Sequence, residues 1–201
     1  MKIVIATENP HKLSELQHIL PSVLSNSIVV EYSGLKDFLL TLPPETGDTL
    51  AANAILKAQY VAKETGLLAV SDDTGLEVDF LKGAPGVYTA RYAGEHGHAQ
   101  ANNQKLLEEL KNVPRAQRTA RFRTVACLSW PDGKYQLFEG SVEGYITTSY
   151  QGQNGFGYDP IFFVTEKGKT FAELSETEKN AVSHRGRAFK QLATYLETSL
   201  K

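Results

Sequence analysis

Two adjacent carboxylates, Asp72 and Asp73, close an apolar run in the stretch GLLAVSDDTGLEVDF. Like charges this close repel, and each resists leaving water. Asp near Gly suits a tight turn, which accounts for one of them. A bound divalent cation accounts for both, because it reverses the local sign of the electrostatics. Glu45, in PPETGD, supplies a third acid. Mg²⁺ bound with a nucleotide takes one or two protein carboxylates and completes its shell with water and phosphate oxygens. Neighbouring strand residues point to opposite faces, so in an unbroken strand only one aspartate faces the ion; its neighbour serves as base or stands behind it. The competing reading is a turn capped by Asp72 with Asp73 solvated.

Three further stretches carry polar chemistry. TENPHK, Thr7 to Lys12, lies between a strand and a helix, where backbone N–H groups favour anions and a lysine one turn in adds positive charge. It lacks the glycines of a Walker loop, and a plain capped helix with a solvated lysine reads equally from spacing. In NGFGYDP, Asn154 to Pro160, Gly155 and Gly157 allow close backbone approach. There Phe156 or Tyr158 can stack on a flat ring while Asp159 accepts from ring N–H groups; a sharp loop returning its aromatics to the core is the alternative. EKNAVSHRGRAFK brings Lys179, His184, Arg185 and Arg187 together as an anion- or carbonyl-reading patch, or as a merely solvated helix face. His96 and His98 lack a third soft ligand, so the reading rejects them as a metal site. Together the stretches describe a nucleotide, with phosphates at the first, metal at the acids, and a base at the last two.

These residues need elements to hold them. KIVIA (Lys2 to Ala6) reads as a buried strand and SIVVEY (Ser27 to Tyr32) as another. PHKLSELQHIL has helical spacing, with Asn9 as N-cap and Pro10 at the first helical position. In PPETGDTLAANAILKAQYVAKETG, Leu50, Ala54, Ala58 and Val61 line one helix face, Asn53 and Lys57 share another, and Gly66 is the stop. NNQKLLEELKNV is a short helix, and RTARFRTVACLSW and KYQLFEGSVEGYITT form an antiparallel hairpin around Pro131 to Gly133. The stretch from Ser175 to Leu200 is mostly helical, opened by a capping box of Ser175 and Glu178. Helices interleaved with strands point to an α/β domain with a mixed sheet.

The 201 residues suffice for one full core, and 41% hydrophobic with 22% charged residues is ordinary for a globular chain, so a single domain is expected. A net charge of -2 argues against a general nucleic-acid binder. One cysteine, Cys127, excludes an internal disulfide framework and fits a reducing compartment. No run reads as a signal peptide or membrane span, so a cytoplasmic protein without membrane partners is expected.

In order and spacing, TENPHK, ETG before NAILKA, SDDTGL, GAPGVYTARYAG, GFGYDPIF and SHRG closely resemble the inosine/xanthosine triphosphate pyrophosphatase family over nearly the whole chain. The resemblance implies an elongated mixed sheet with flanking helices and two lobes around a central nucleotide cleft, as a homodimer. It implies Mg²⁺-dependent hydrolysis of ITP, dITP and XTP to monophosphate and pyrophosphate, keeping deaminated purines out of nucleic acid. Carried over, Thr7, Glu8, Asn9, Pro10, His11, Lys12 and Lys57 hold phosphates, and Glu45 and Asp73 serve the metal. Asp73 is the general base with Asp72 beside it, and Thr74 contacts substrate. Phe156, Gly157, Tyr158, Asp159, Lys179, His184 and Arg185 hold the base. Glu8 stands where many members have glycine, and Thr74 replaces a common serine. On this reading the paired aspartates are tolerable because Mg²⁺ and substrate arrive together. The rivals are a pyrophosphatase for other modified nucleotides and a purine-nucleotide-binding module without turnover.

Overall fold

The computed structural model describes residues 1–24, 27–95 and 97–199; His96 and Leu200 lie outside the described residues. The elements run β1 (Lys2–Ile5), α1 (Pro10–Ile19), β2 (Glu31–Gly34), α2 (Leu50–Thr65), β3 (Leu68–Val78), β4 (Pro85–Gly86), α3 (Ala99–Glu109), β5 (Thr119–Ser129), β6 (Tyr135–Ile146), β7 (Phe162–Val164), β8 (Lys169–Thr170), α4 (Glu176–Val182) and α5 (His184–Ser199). They form a mixed α/β fold on an eight-stranded sheet of order β2-β1-β3-β5-β6-β7-β8, with β4 paired to β3. β1 is parallel to β2 and β3, whereas β4 on β3, β7 on β6 and β8 on β7 are antiparallel. The short connection through Pro131 to Gly133 makes β5 and β6 an antiparallel pair, since a parallel pair needs a long crossover.

The chain divides into two compact units, one comprising Met1–Asp73, Thr124–Gly140 and Arg185–Lys201, the other Thr74–Arg123 and Ser141–His184. In the first unit β1 is apolar on both faces because helices cover both. Ile3 and Ile5 pack with Leu16 of α1, Leu20 at its C-cap, and Phe189, Leu192 and Leu196 of α5; Val4 and Ala6 pack with Val61 and Ala62 of α2. Each fully buried large side chain contributes about 1.5–3 kcal/mol relative to exposure. In β3 the same alternation sets Val70 toward α1 and α5, and Ala69 toward α2. In the second unit Leu76, Leu106, Leu110, Phe122, Ile146, Phe162 and Phe171 form a separate core.

Local signals placed the helix ends. Asn9 accepts from His11 N and Lys12 N ahead of Pro10, Gly66 closes α2 with φ +68°, and Ser175 with Glu178 forms a reciprocal capping box. One expectation changes. The second strand lies at 31–34, because pairing with β1 sets its register, and Val29 makes only an isolated bridge with Val23. The C-terminal stretch is mostly helical as expected, in two helices divided at the extended Ser183 (φ -68°, ψ 156°). Among the described residues no helix is long and apolar enough to cross a membrane.

Candidate active site

The turn between β1 and α1 is fixed by its own side chains. Asn9 N donates to Thr7 Oγ1 at 3.2 Å, and Asn9 Oδ1 takes the N–H groups of His11 and Lys12 at 2.9 and 3.3 Å. This leaves the Thr7 hydroxyl proton and the Asn9 amide as donors for an anion. Pro10 and His11 are exposed. Glu8 faces neither: its Oε1 accepts from Leu42 N at 2.9 Å. Lys12 points down the α1 face toward β3 and reaches Asp72 Oδ2 at 3.0 Å.

β3 runs unbroken through the aspartate pair, so the two carboxylates leave on opposite faces. Asp72 shares the Val70 face, and its Oδ2 accepts from Lys12 and, at 3.3 Å, from both Nε and Nη2 of Arg185. Glu15 of α1 takes Nη1 of the same arginine at 2.5 Å. Burial alone would raise the Asp72 carboxyl, but Lys12, Arg185 and Lys57 hold it well below the usual range. Burial lowers Lys12, with Asp72 opposing. Asp73 shares the face of Ser71, whose hydroxyl donates to Ala54 O of α2. Its Oδ2 accepts from Asn53 Nδ2 at 3.0 Å and its Oδ1 lies 3.9 Å from Lys57 Nζ. Burial wins here: despite Lys57 and Lys12, the Asp73 carboxyl sits above its ordinary value.

Beside the Mg²⁺ and substrate expected to make the pair tolerable, the protein supplies compensation of its own. Strand alternation separates the charges, and Lys12 and Arg185 offset one while Asn53 and Lys57 face the other.

Lys57 joins the acids. Its Nζ donates to Glu45 Oε1 at 2.6 Å and to the Asp72 carbonyl at 2.8 Å. Burial would lower it, yet Asp73, Glu45 and Asp72 hold it above the ordinary lysine value. Glu45 and Asp73 thus both turn carboxylate oxygens toward the Lys57 ammonium. Among the described residues no three His, Cys, Asp or Glu side chains form a metal cage. Two convergent carboxylates suit a cation that keeps water and phosphate ligands, as Mg²⁺ does. Gly47 approaches this group so closely that a Cβ would lie 2.7 Å from Asn53 Oδ1, and its N–H donates to that same oxygen at 2.8 Å.

The second unit holds Thr74, Phe156, Gly157, Tyr158, Asp159, Lys179 and His184. Asp159 Oδ2 accepts from Lys179 Nζ at 2.7 Å and from Phe156 N at 2.8 Å. Gly155, at φ +76°, leaves no room for a Cβ, which would lie 2.1 Å from that oxygen. Lys179 Nζ lies 4.5 Å from the half-buried Phe156 ring centre. Tyr158 is in the core and donates its hydroxyl to Thr89 O, so Phe156 is the aromatic able to offer a ring face. His184 is buried and stacked on Phe122, with ring centres 4.6 Å apart. Arg185 belongs to the first unit, committed to Asp72 and Glu15.

Three participants carry no assigned role in the sequence. Glu15 lies three residues after Lys12, the helical spacing of a shared face. Asn53 lies four before Lys57, a spacing already visible there. Asn103 Nδ2 donates to Gly157 O at 2.9 Å and braces the glycine loop; nothing local signals it.

Comparison with known proteins follows the same lines. The profile of the Ham1 family matches residues 3–195. A dITP/XTP pyrophosphatase of Elusimicrobium minutum is 53% identical over 96% of this chain and 98% of its own, and one of Bacillus subtilis 47% identical over 96% of each. A HAM1 protein structure from Coxiella burnetii superposes with TM-score 0.86 at 40% identity, covering 98% of both chains. The Staphylococcus aureus Ham1 protein gives 0.85 at 40%, covering 99% of this chain and 100% of its own.

Proposed function

Since this chain belongs to the Ham1 family, we propose that it hydrolyses deaminated purine nucleoside triphosphates, dITP, ITP and XTP, to the monophosphate and pyrophosphate. The observation that carries the reading is Lys57, whose one ammonium group draws Glu45 and Asp73 together within the first unit.

Water is a poor nucleophile toward a polyanion, so positive charge must offset the repulsion. Lys57 supplies part of it, and Lys12 adds to it by turning from Asp72 to a phosphate oxygen. Arg185 keeps Asp72 paired while Lys12 is away. The Thr7 hydroxyl and the Asn9 amide donate to phosphate oxygens. Asp73, a carboxylate facing Lys57, takes the proton of the attacking water. Glu45 and Asp73 would hold Mg²⁺, which when bound offsets phosphate charge and makes water more acidic. On the second unit Phe156 stacks on the purine, and Lys179 and His184 donate toward a 6-keto acceptor. Adenine carries a 6-amino donor at that position and is disfavoured.

The same reading places the enzyme in the cytoplasm with the nucleotide pool, as a homodimer. Phe80 and Tyr88 are among the exposed apolar side chains that a partner could cover; a monomer mass in sedimentation at micromolar concentration would overturn the homodimer.

The deciding experiment is product identity with Mg²⁺ and dITP, ITP, XTP, ATP or GTP in parallel. Pyrophosphate from the deaminated purines, with little from ATP or GTP, is expected. Orthophosphate as product, or no turnover of any purine, overturns the reading.

A further inference from the structure

Glu8 would set a negative charge among the phosphates if it faced them. Its carboxylate instead reaches across 34 residues to accept from Leu42 N at 2.9 Å. Leu42 precedes Pro43, Pro44 and Glu45. Proline has no N–H, and its ring fixes φ. Leu42 therefore carries the last backbone donor before Glu45 itself, and two stiff residues carry its position forward. The segment 41–47 has no regular secondary structure to hold it. Glu45 is flanked instead by two backbone anchors: Leu42 N–H on Glu8, and Gly47 N–H on Asn53 Oδ1 at 2.8 Å. The second anchor belongs to the asparagine that holds Asp73. The first belongs to the turn that presents Thr7, Asn9 and Lys12.

We propose that Glu8 is a positioning residue for Glu45, strapping the Leu42–Pro43–Pro44–Glu45 segment to the phosphate-binding turn. The inference rests on the proposed function in assigning Glu45 to the metal and the turn to phosphate. Its chemistry is an acceptor facing a backbone donor, so the amide of glutamine can replace the carboxylate, whereas alanine cannot.

The test compares Glu8→Ala and Glu8→Gln with the parent, by amide hydrogen exchange at Leu42 and by dITP turnover across a Mg²⁺ titration. In Glu8→Ala the Leu42 amide should exchange at least about tenfold faster, as a locally opened bond does. The KM for dITP and the half-saturating Mg²⁺ should each rise about fivefold, the size of one net hydrogen bond, with kcat at saturation within about twofold because Asp73 and Lys57 are untouched. Glu8→Gln should restore both the protection and the low KM. An unchanged Leu42 exchange rate in Glu8→Ala overturns the strap, and so does unchanged KM with unchanged Mg²⁺ dependence. Glu8 is exposed, and both variants should fold. If the parent itself does not turn over dITP, the functional reading fails, while the exchange comparison still decides whether the strap exists.

Discussion

The groups in the two units are built on different principles. In the first, charged side chains project mostly from regular elements, α1, α2, β3 and α5, and are balanced against each other: Lys12 and Arg185 on Asp72, Glu15 on Arg185, and Lys57 on Glu45 of the irregular segment before α2. In the second, Phe156 and Asp159 lie in a glycine-rich loop, with Lys179 as the ion-pair partner and His184 on an aromatic ring. The difference teaches what each part must do. Buried charge needs exact placement and prior neutralisation, whereas a flat ring face and a few directed donors can be offered by a braced loop.

The sharpest way to break that division lies within the first unit, at Asp73. Asp73→Asn removes the proposed proton acceptor while keeping an oxygen for Asn53 and leaving Glu45 on Lys57. The kcat for dITP should fall by about 10²–10⁴, the usual worth of a general base, with nucleotide binding by calorimetry retained. Turnover at the parent rate would remove Asp73 from the mechanism.

Next in size is Asp72, one residue away and opposite in character. Asp72→Asn leaves Lys12 and Arg185 buried with Glu15 as the acidic partner, a broken buried network that costs about 3 kcal/mol. Asp73→Asn should cost less than about 1 kcal/mol, because burial already disfavours its charge. The pH dependence separates them. Asp72 is held low in the fold, so its contribution is complete above its unfolded value near about 4 and is lost as pH falls toward the folded one. Asp73 is raised, so its contribution is present below its unfolded value and lost as pH rises through the folded one. The gap in urea stability between parent and Asp72→Asn should therefore narrow from pH 7 toward pH 3; a constant gap would mean that the carboxylate charge is not what holds the network.

The same contrast explains how much was legible in the sequence. Caps and stops are local chemistry, so Asn9 with Pro10, Gly66, and Ser175 with Glu178 could be placed by reading. Strand alternation, also local, placed Asp72 and Asp73 on opposite faces. Their partners could not be read, because Arg185 comes to Asp72 from 113 residues away and leaves no trace in the intervening pattern. The second strand was misplaced for a related reason. The apolar residues at 28–30 look more strand-like than EYSG, but pairing of Glu31 with Lys2 decides the register. Tyr158 and Phe156 looked interchangeable as stacking rings, since burial by the second-unit core is not written into the loop.

That last pair gives the finest test, and it turns on separating recognition from stability. Phe156 is half-buried under Lys179, whereas Tyr158 is 4% exposed with its hydroxyl on Thr89 O at 3.0 Å. Phe156→Ala removes the ring face; stacking on a base is worth about 1–3 kcal/mol, so KM for dITP should rise about tenfold while the melting temperature barely moves. Tyr158→Phe keeps the packed ring and deletes one hydrogen bond, worth about 1 kcal/mol. The melting temperature should drop by about 2–4 °C for a chain of this size, with KM unchanged. If Tyr158→Phe raises KM and Phe156→Ala does not, the purine is read by the core side of the loop, and the assignment of Phe156 falls.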